Sequence, residues 1–248
     1  MTAPAPLIAL VTGASRGFGF ATARALGARG VHVVALARTV GGLEDLADAI
    51  EADGGPSPTL VPLSITDEGG LRRLCLAVHE RWGRLDLAIH AAAIAPPLSP
   101  AANTAEKDFD QALETNLRAT QRLIPMLAPL LLAAPSGRFV YVGDDRTGQA
   151  FFGAYAAAKA GAEALVRAWA AETARIGPMV EIFHPRPMPT ALRARFYPGE
   201  NARARIGETV FVPGASCFKD ARGLFGGAAR RLVVPAARAI SLQDSVRE

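Results

Sequence analysis

Six short stretches dominated by apolar residues recur along this chain, with a helix-length segment after each of the first five. This alternation restricts the fold more than any other feature. The stretches are Leu7–Thr12 (LIALVT), Val31–Ala37 (VHVVALA), Leu60–Leu63, Leu85–Ala91 (LDLAIHA), Arg138–Val142 (RFVYV) and Val180–Phe183 (VEIF). Runs this apolar and this short suit strands buried on both faces, as in a parallel sheet. Between them, helices are predicted at Phe20–Ala28, Leu43–Ala52, Glu68–Trp82, Phe109–Leu132 and Tyr155–Ile176. Strands alternating with helices imply an α/β fold, a right-handed, doubly wound parallel sheet with helices on both faces.

Composition supports one such unit. With 248 residues, 50% of them hydrophobic and 20% charged, the chain is long and apolar enough to bury a large core. It is read as a single domain over residues 1–248 that diverges from about residue 200. Of the net charge of +4, residues 199–248 carry three, eight Lys/Arg against five Asp/Glu. The basic character is therefore concentrated near the end, which argues against a nucleic-acid surface on the main body. The most apolar run, Leu123–Ala134, is interrupted by Pro125 and Pro129 and is too short to cross a membrane. No export signal is visible in MTAPAPLIALVTG. Cys75 and Cys217 lack the close spacing of a metal site and read as buried thiols in a reducing, cytoplasmic compartment, with no metal expected.

The first strand runs directly into TGASRGFG, with glycines at 13, 17 and 19. Glycines at a strand-to-helix turn let backbone N–H groups approach a pyrophosphate, and the positive end of the helix dipole adds to the attraction. In such folds an acidic residue after the second strand binds the ribose 2′-OH of NAD, whereas an Arg accommodates the 2′-phosphate of NADP. Here Ala37 is followed by Arg38, and Arg16 lies within the loop, so NADP(H) is the preferred cofactor and NAD(H) the alternative.

Further along, Tyr155 and Lys159 stand four apart at a predicted helix start, in YAAAK. That spacing lets an ammonium approach a phenol and favour its ionised form, which would make the tyrosine an acid or base near neutral pH. Ala156, Ala160 and Ala164 form a small-residue stripe suited to close helix packing.

TGASRGFG, TNL at Thr115–Leu117 and YAAAK occur in this order, and the chain resembles the short-chain dehydrogenase/reductase family over roughly residues 7–200. The resemblance implies a Rossmann-like fold and an oxidoreductase that moves hydride between NADP(H) or NAD(H) and a small carbonyl or alcohol. It implies that Tyr155 is the acid/base, that Lys159 supports it and binds the nicotinamide ribose, and that Asn116 holds a proton-relay water. Gly13, Ser15, Arg16, Gly17, Phe18, Gly19, Arg38, Ser64, Ile65 and Ala91 would line the cofactor with Lys159. It also implies a homodimer or homotetramer, the dimer preferred, built on the two long helices and binding neither nucleic acid nor membrane.

Four positions depart from the family pattern. Counting back thirteen residues from Tyr155, the family's catalytic Ser falls on Val142, which can neither donate nor accept a hydrogen bond. Thr147, Asp144 and Asp145 are the neighbouring candidates to compensate. The family's Asn-Asn-Ala-Gly is His90-Ala91-Ala92-Ala93, and His90 reads as a packed strand-end residue rather than a catalyst. Its Pro-Gly is Pro185-Arg186, the Arg being either a second phosphate clamp or a surface charge. After about Asn201 the family's terminal pattern disappears. Two functions remain: an NADP(H)-dependent oxidoreductase acting on an apolar carbonyl compound or alcohol, or a dinucleotide-binding or assembly protein with impaired turnover.

Overall fold

A computed structural model describes residues 6–200. In chain order the elements are β1 (Ile8–Thr12), α1 (Gly17–Gly27), β2 (His32–Ala37), α2 (Val40–Ala52), β3 (Thr59–Pro62), α3 (Glu68–Trp82) and β4 (Leu87–His90). They continue with α4 (Glu106–Leu113), α5 (Ala119–Leu132), β5 (Arg138–Val142), α6 (Gly153–Thr173), β6 (Met179–Phe183) and α7 (Ala191–Phe196). The six strands form one sheet in the order β3-β2-β1-β4-β5-β6, and every pairing is parallel. This is the Rossmann-like, doubly wound arrangement.

The continuous apolar runs follow from burial on both faces. Along β1, Ile8 and Leu10 face one core while Ala9 and Val11 face the other, as the two-residue period of a strand requires. The first core takes Leu71 and Val78 of α3, Leu123 and Leu127 of α5, and Val166 and Trp169 of α6. The second takes Ala23 and Leu26 of α1 with Leu43, Leu46 and Ile50 of α2. Trp169 packs edge-on against Phe139 of β5 with ring centroids 5.1 Å apart, joining α6 to the middle of the sheet.

Chain order reverses at β1, which pairs with β2 on one side and β4 on the other. Helices leave to opposite faces there, opening a crevice at the carboxyl ends of the strands.

Local structure departs from the sequence reading at several element boundaries, α2 among them, which begins at Val40 rather than Leu43. The helix expected over Phe109–Leu132 starts at Glu106 and is interrupted by a π-helical turn, Glu114–Arg118, which carries Asn116. α1 begins at Gly17, three residues before the expected Phe20. The short α7 has no counterpart in the apolar pattern; Thr190 caps it, its hydroxyl accepting from Arg193 N at 3.2 Å. Cys75 is free and burial raises its thiol to about 11. The expectations for Cys217 and for the divergent end lie outside the described residues. Among the described residues no helix is long and apolar enough to cross a membrane, and no group of side chains could hold a metal.

Phe139 is fully buried at the α6–sheet contact. Phe139→Ala is expected to destabilise the fold by about 3–5 kcal/mol, read as a lower urea midpoint at unchanged slope.

Candidate active site

The glycine loop turns sharply at Gly13, whose φ of +71° favours glycine; a Cβ there would come within 2.9 Å of the Ala92 backbone. Gly17, at φ +58°, opens α1 and lies against Thr190, whose Cγ2 would be 3.0 Å from an added Cβ. Together they let the first turn of α1 and the segments after β4 and β6 converge. A cavity of about 770 Å³ runs along the carboxyl ends of the strands. Gly13, Ser15, Arg16, Gly17, Phe18, Gly19, Arg38, Ser64, Ile65, Ala91, Tyr155 and Lys159 all line it. Arg16 and Arg38, both exposed, stand at the end formed by α1 and β2, where their guanidiniums can meet an anion.

At the other end, α6 carries Tyr155 and Lys159 one turn apart, both buried. Lys159 Nζ donates to the carbonyl of Val142 at 2.6 Å and lies 4.3 Å from the centroid of the Tyr141 ring. Burial lowers its ammonium to about 8, against the opposing charges of Asp144 and Glu163. The phenol of Tyr155 donates instead to Asp144 Oδ2 at 3.1 Å. Its pKa is pushed well above the usual phenol value, chiefly by burial and then by Asp144's charge and hydrogen bond. The sequence reading of an ammonium easing the phenol's ionisation is therefore corrected for the protein as it stands: Lys159 is engaged by a backbone carbonyl, and the charge that dominates at Tyr155 is negative.

Val142 lines the cavity at the end of β5 and presents only methyl groups to it. Of the three compensating candidates, Asp144 lines the cavity; Asp145 accepts from Thr147 N at 2.9 Å and bounds a smaller recess with Thr147. Asn116 is buried in the π-helical turn, its side-chain oxygen accepting from Ile94 N at 2.9 Å and its amide donating to Ile94 O at 3.0 Å. It braces the segment after β4 and does not itself line the cavity.

His90 is fully buried between two threonines, with Thr12 Oγ1 2.8 Å from Nδ1 and Thr120 Oγ1 3.0 Å from Nε2. Thr12 also accepts from Ala92 N, and Thr120 donates to the Asn116 carbonyl, so Nε2 carries the ring proton and Nδ1 accepts. Burial, with a contribution from Lys159, lowers the imidazole to about 3 and keeps it neutral. Arg186 is exposed at the rim of the cavity.

Sequence reasoning did not anticipate the wall opposite Tyr155. Phe196 meets Tyr155 edge-on at 4.8 Å and Phe152 at 4.9 Å between ring centroids, while Arg146 donates to Tyr197 Oη at 3.3 Å. Arg193 holds Glu200 through two hydrogen bonds of 2.6 and 2.7 Å and lies over the Tyr197 ring. The only cue in the sequence was the cluster of Phe, Tyr and Arg in ALRARFY.

Residues 7–201 match the short chain dehydrogenase family. The chain belongs to this family. Short-chain dehydrogenase/reductase FrzI of a Cladobotryum species is 33% identical over 189 residues, covering 75% of this chain and 72% of FrzI. Oxidoreductase YciK of Escherichia coli is 31% identical over 200 residues, 78% of each chain. A short chain dehydrogenase from Pseudomonas syringae superposes with a TM-score of 0.77 at 33% identity, covering 80% of this chain and 83% of that one. Another, from Shigella flexneri and complexed with NADP, gives 0.76 at 28% identity over 80% and 84%. The family is one of oxidoreductases that bind nicotinamide dinucleotides, and this chain shares its fold and glycine loop.

The buried His90 generates a pH dependence. Unfolded, the imidazole protonates near 6.5, whereas folded it resists protonation until about 3. Between those values the unfolded chain binds the extra proton, so stability is full above about 6.5 and falls as pH drops. His90→Asn, which restores the residue expected of the family here, should remove about 2 kcal/mol of the stability lost between about pH 7 and pH 5, measured by urea unfolding at each pH.

Proposed function

We propose that this protein is an NADP(H)-dependent oxidoreductase that moves hydride between the cofactor and a small apolar carbonyl or alcohol. The observation that carries this reading is the continuity of one cavity of about 770 Å³, with the glycine loop, Arg16 and Arg38 at one end and Tyr155 with Lys159 at the other. Relatives solved with NADP and NADPH share 28% identity and TM-scores of 0.76, which supports the choice of cofactor.

The cradle fits a dinucleotide. Gly13 permits the close turn, the first N–H groups of α1 open into the cavity, and the two guanidiniums offer paired donors to a 2′-phosphate. Ser64 and Ile65 would flank the adenine end, and Ala91 and Lys159 the nicotinamide ribose. When bound, the nicotinamide supplies or accepts the hydride. The chain's own residues manage the oxygen and its proton. Tyr155 keeps its proton at neutral pH because burial and Asp144 both oppose the phenolate, and its hydroxyl is the group that passes a proton to or from the substrate oxygen. Lys159, ammonium below about 8, offsets that charge from beneath. Asn116 acts as a positioning residue through its grip on Ile94. The substrate end is walled by Ile94, Val142, Leu192, Phe196 and Tyr197, and the neighbouring Arg146 and Arg193 have carboxylate partners, which favours an uncharged, apolar substrate.

Val142 favours a second reading, a dinucleotide-binding protein with little turnover. A missing hydrogen-bond donor at a developing oxyanion costs about 10²–10³ in rate. Val142→Ser separates the two readings: it should multiply an existing carbonyl-reducing activity by up to that factor, whereas activity appearing from zero would support the second.

Fluorescence titration should show micromolar binding of NADPH and weaker binding of NADH. Arg38→Ala and Arg16→Ala should each weaken NADPH about tenfold and leave NADH nearly unchanged. Equal loss for both cofactors would exclude a 2′-phosphate role.

A further inference from the structure

Asp144 touches the phenol on which the proposed chemistry turns. Its Oδ2 accepts the Tyr155 proton at 3.1 Å. Its Oδ1 lies 2.9 Å from Arg146 Nε, close enough for an ion pair though not aligned as a hydrogen bond. Arg146 is anchored by Tyr197 Oη and flanked by the Phe152 and Tyr197 rings, which fixes the carboxylate from behind. Asp144 also borders two spaces. One is the main cavity; the other is a surface recess of about 200 Å³ bounded by Asp145, Thr147, Glu163 and Arg167 together with Ala156, Ala160 and Ala164 of α6, roomy enough for water. The carboxylate is therefore a partition with the reacting phenol on one side and a surface recess on the other.

The polarity of this hydrogen bond selects what Tyr155 can offer. A phenol has one proton, and while Asp144 receives it the Tyr155 oxygen presents only lone pairs to the cavity. A lone pair accepts from an alcohol O–H and gives nothing to a carbonyl oxygen. We propose that Asp144 is the terminal proton acceptor of this site, so that Tyr155 and Asp144 form a relay that serves oxidation of an apolar alcohol and discharges its proton into the recess.

This rests on the oxidoreductase reading above. In the step, the alcohol O–H proton passes to Tyr155 Oη while the proton already on Tyr155 passes to Asp144 Oδ2. The alcohol C–H bond breaks, hydrogen and its electron pair leave as hydride to the oxidised nicotinamide dinucleotide, and the O–H electron pair becomes the second C–O bond. The result is a carbonyl product, a reduced cofactor and a protonated Asp144 that returns its proton to water. Reduction is the same chain in reverse and starts from protonated Asp144. Oxidation thus starts from the ionised carboxylate and reduction from the protonated one. The charged and titratable groups facing Asp144 are Arg146 on its own loop, Tyr141 of β5, Tyr155 and Lys159 of α6, and Arg193 of α7. Across the recess stand Glu163, paired with His184, and Arg167.

The test needs both a spectroscopic and a kinetic readout on the full chain. With tyrosine labelled at ¹³Cζ there are three resonances, and Tyr155→Phe assigns the one that matters. At neutral pH the Tyr155 resonance should differ between the wild type and Asp144→Asn, because the phenol loses its ionised acceptor. In parallel, 1-phenylethanol with NADP⁺ and acetophenone with NADPH probe the two directions. Asp144→Asn should lower the oxidation kcat by about 10²-fold while cofactor affinity stays unchanged. A wild type that binds neither NADPH nor NADP⁺ would overturn the functional reading. Bound cofactor with the Tyr155 resonance unmoved by Asp144→Asn, or with equal oxidation rates in wild type and Asp144→Asn, would overturn the relay alone.

Discussion

A single file of hydrogen bonds through His90 joins the three segments on which the site is built. Ala92 N donates to Thr12, Thr12 to His90, His90 to Thr120, and Thr120 to the Asn116 carbonyl. The file crosses from the end of β1 through the end of β4 to the helix face beyond, where the sheet order reverses. A neutral imidazole suits this place because it offers one donor and one acceptor, and the two threonine hydroxyls rotate to match them. A protonated ring would offer two donors to partners already committed. The close approach of Gly13 to Ala92, and with it the floor of the cavity, depends on this junction. From its far end Asn116 reaches both polar atoms of Ile94, so the same file sets the wall beside the substrate space.

Above that floor, charge is arranged in closed sets. Asp144 faces Arg146, Glu200 holds Arg193, and Glu163 is shared by His184 and Arg167. Lys159 is the exception, a buried ammonium whose nearest acceptor is the neutral carbonyl of Val142, with the face of Tyr141 beside it. Its lowered pKa follows from burial, which outweighs the opposing charges of Asp144 and Glu163. Around it Phe152, Phe196 and Tyr155 form an aromatic cluster that keeps the substrate end dry. Low polarity there strengthens each remaining electrostatic contact, which gives a single carboxylate at Asp144 its leverage.

What the sequence made legible was local. Apolar runs that bury both faces announced a parallel sheet, and glycines spaced within one turn announced where backbone approaches backbone, because both signals are carried by near neighbours. The cradle and the Tyr155–Lys159 pair follow from such signals. The partners of those side chains do not. Lys159 finds its acceptor 17 residues back, on a different element. Asp144 meets Tyr155 across a loop whose course no propensity encodes, and His90 meets Thr12 from 78 residues away. Helix α7 was missed because six residues with arginines at its third and fifth positions show little apolar period; it is held by the Thr190 cap and by Phe196 in the aromatic cluster. The π-helical turn was hidden for a similar reason, since one extra residue in a helix leaves the apolar pattern almost unchanged.

Exchanging a hydroxyl for a carboxylate near a reacting oxygen changes more than the strength of one contact. A hydroxyl donates to the oxygen as charge builds and is indifferent to pH across the neutral range. An ionised carboxylate repels that charge but removes a proton readily. The transition state is common to both directions, so the exchange cannot favour oxidation at equilibrium; it decides instead the protonation state from which each direction starts. With Val142 silent at one position and Asp144 engaged two residues later, the barrier is lowered by moving a proton away rather than by donating a bond. That trade is effective only where the carboxylate can unload, and in this fold Asp144 lies between the cavity and a surface recess.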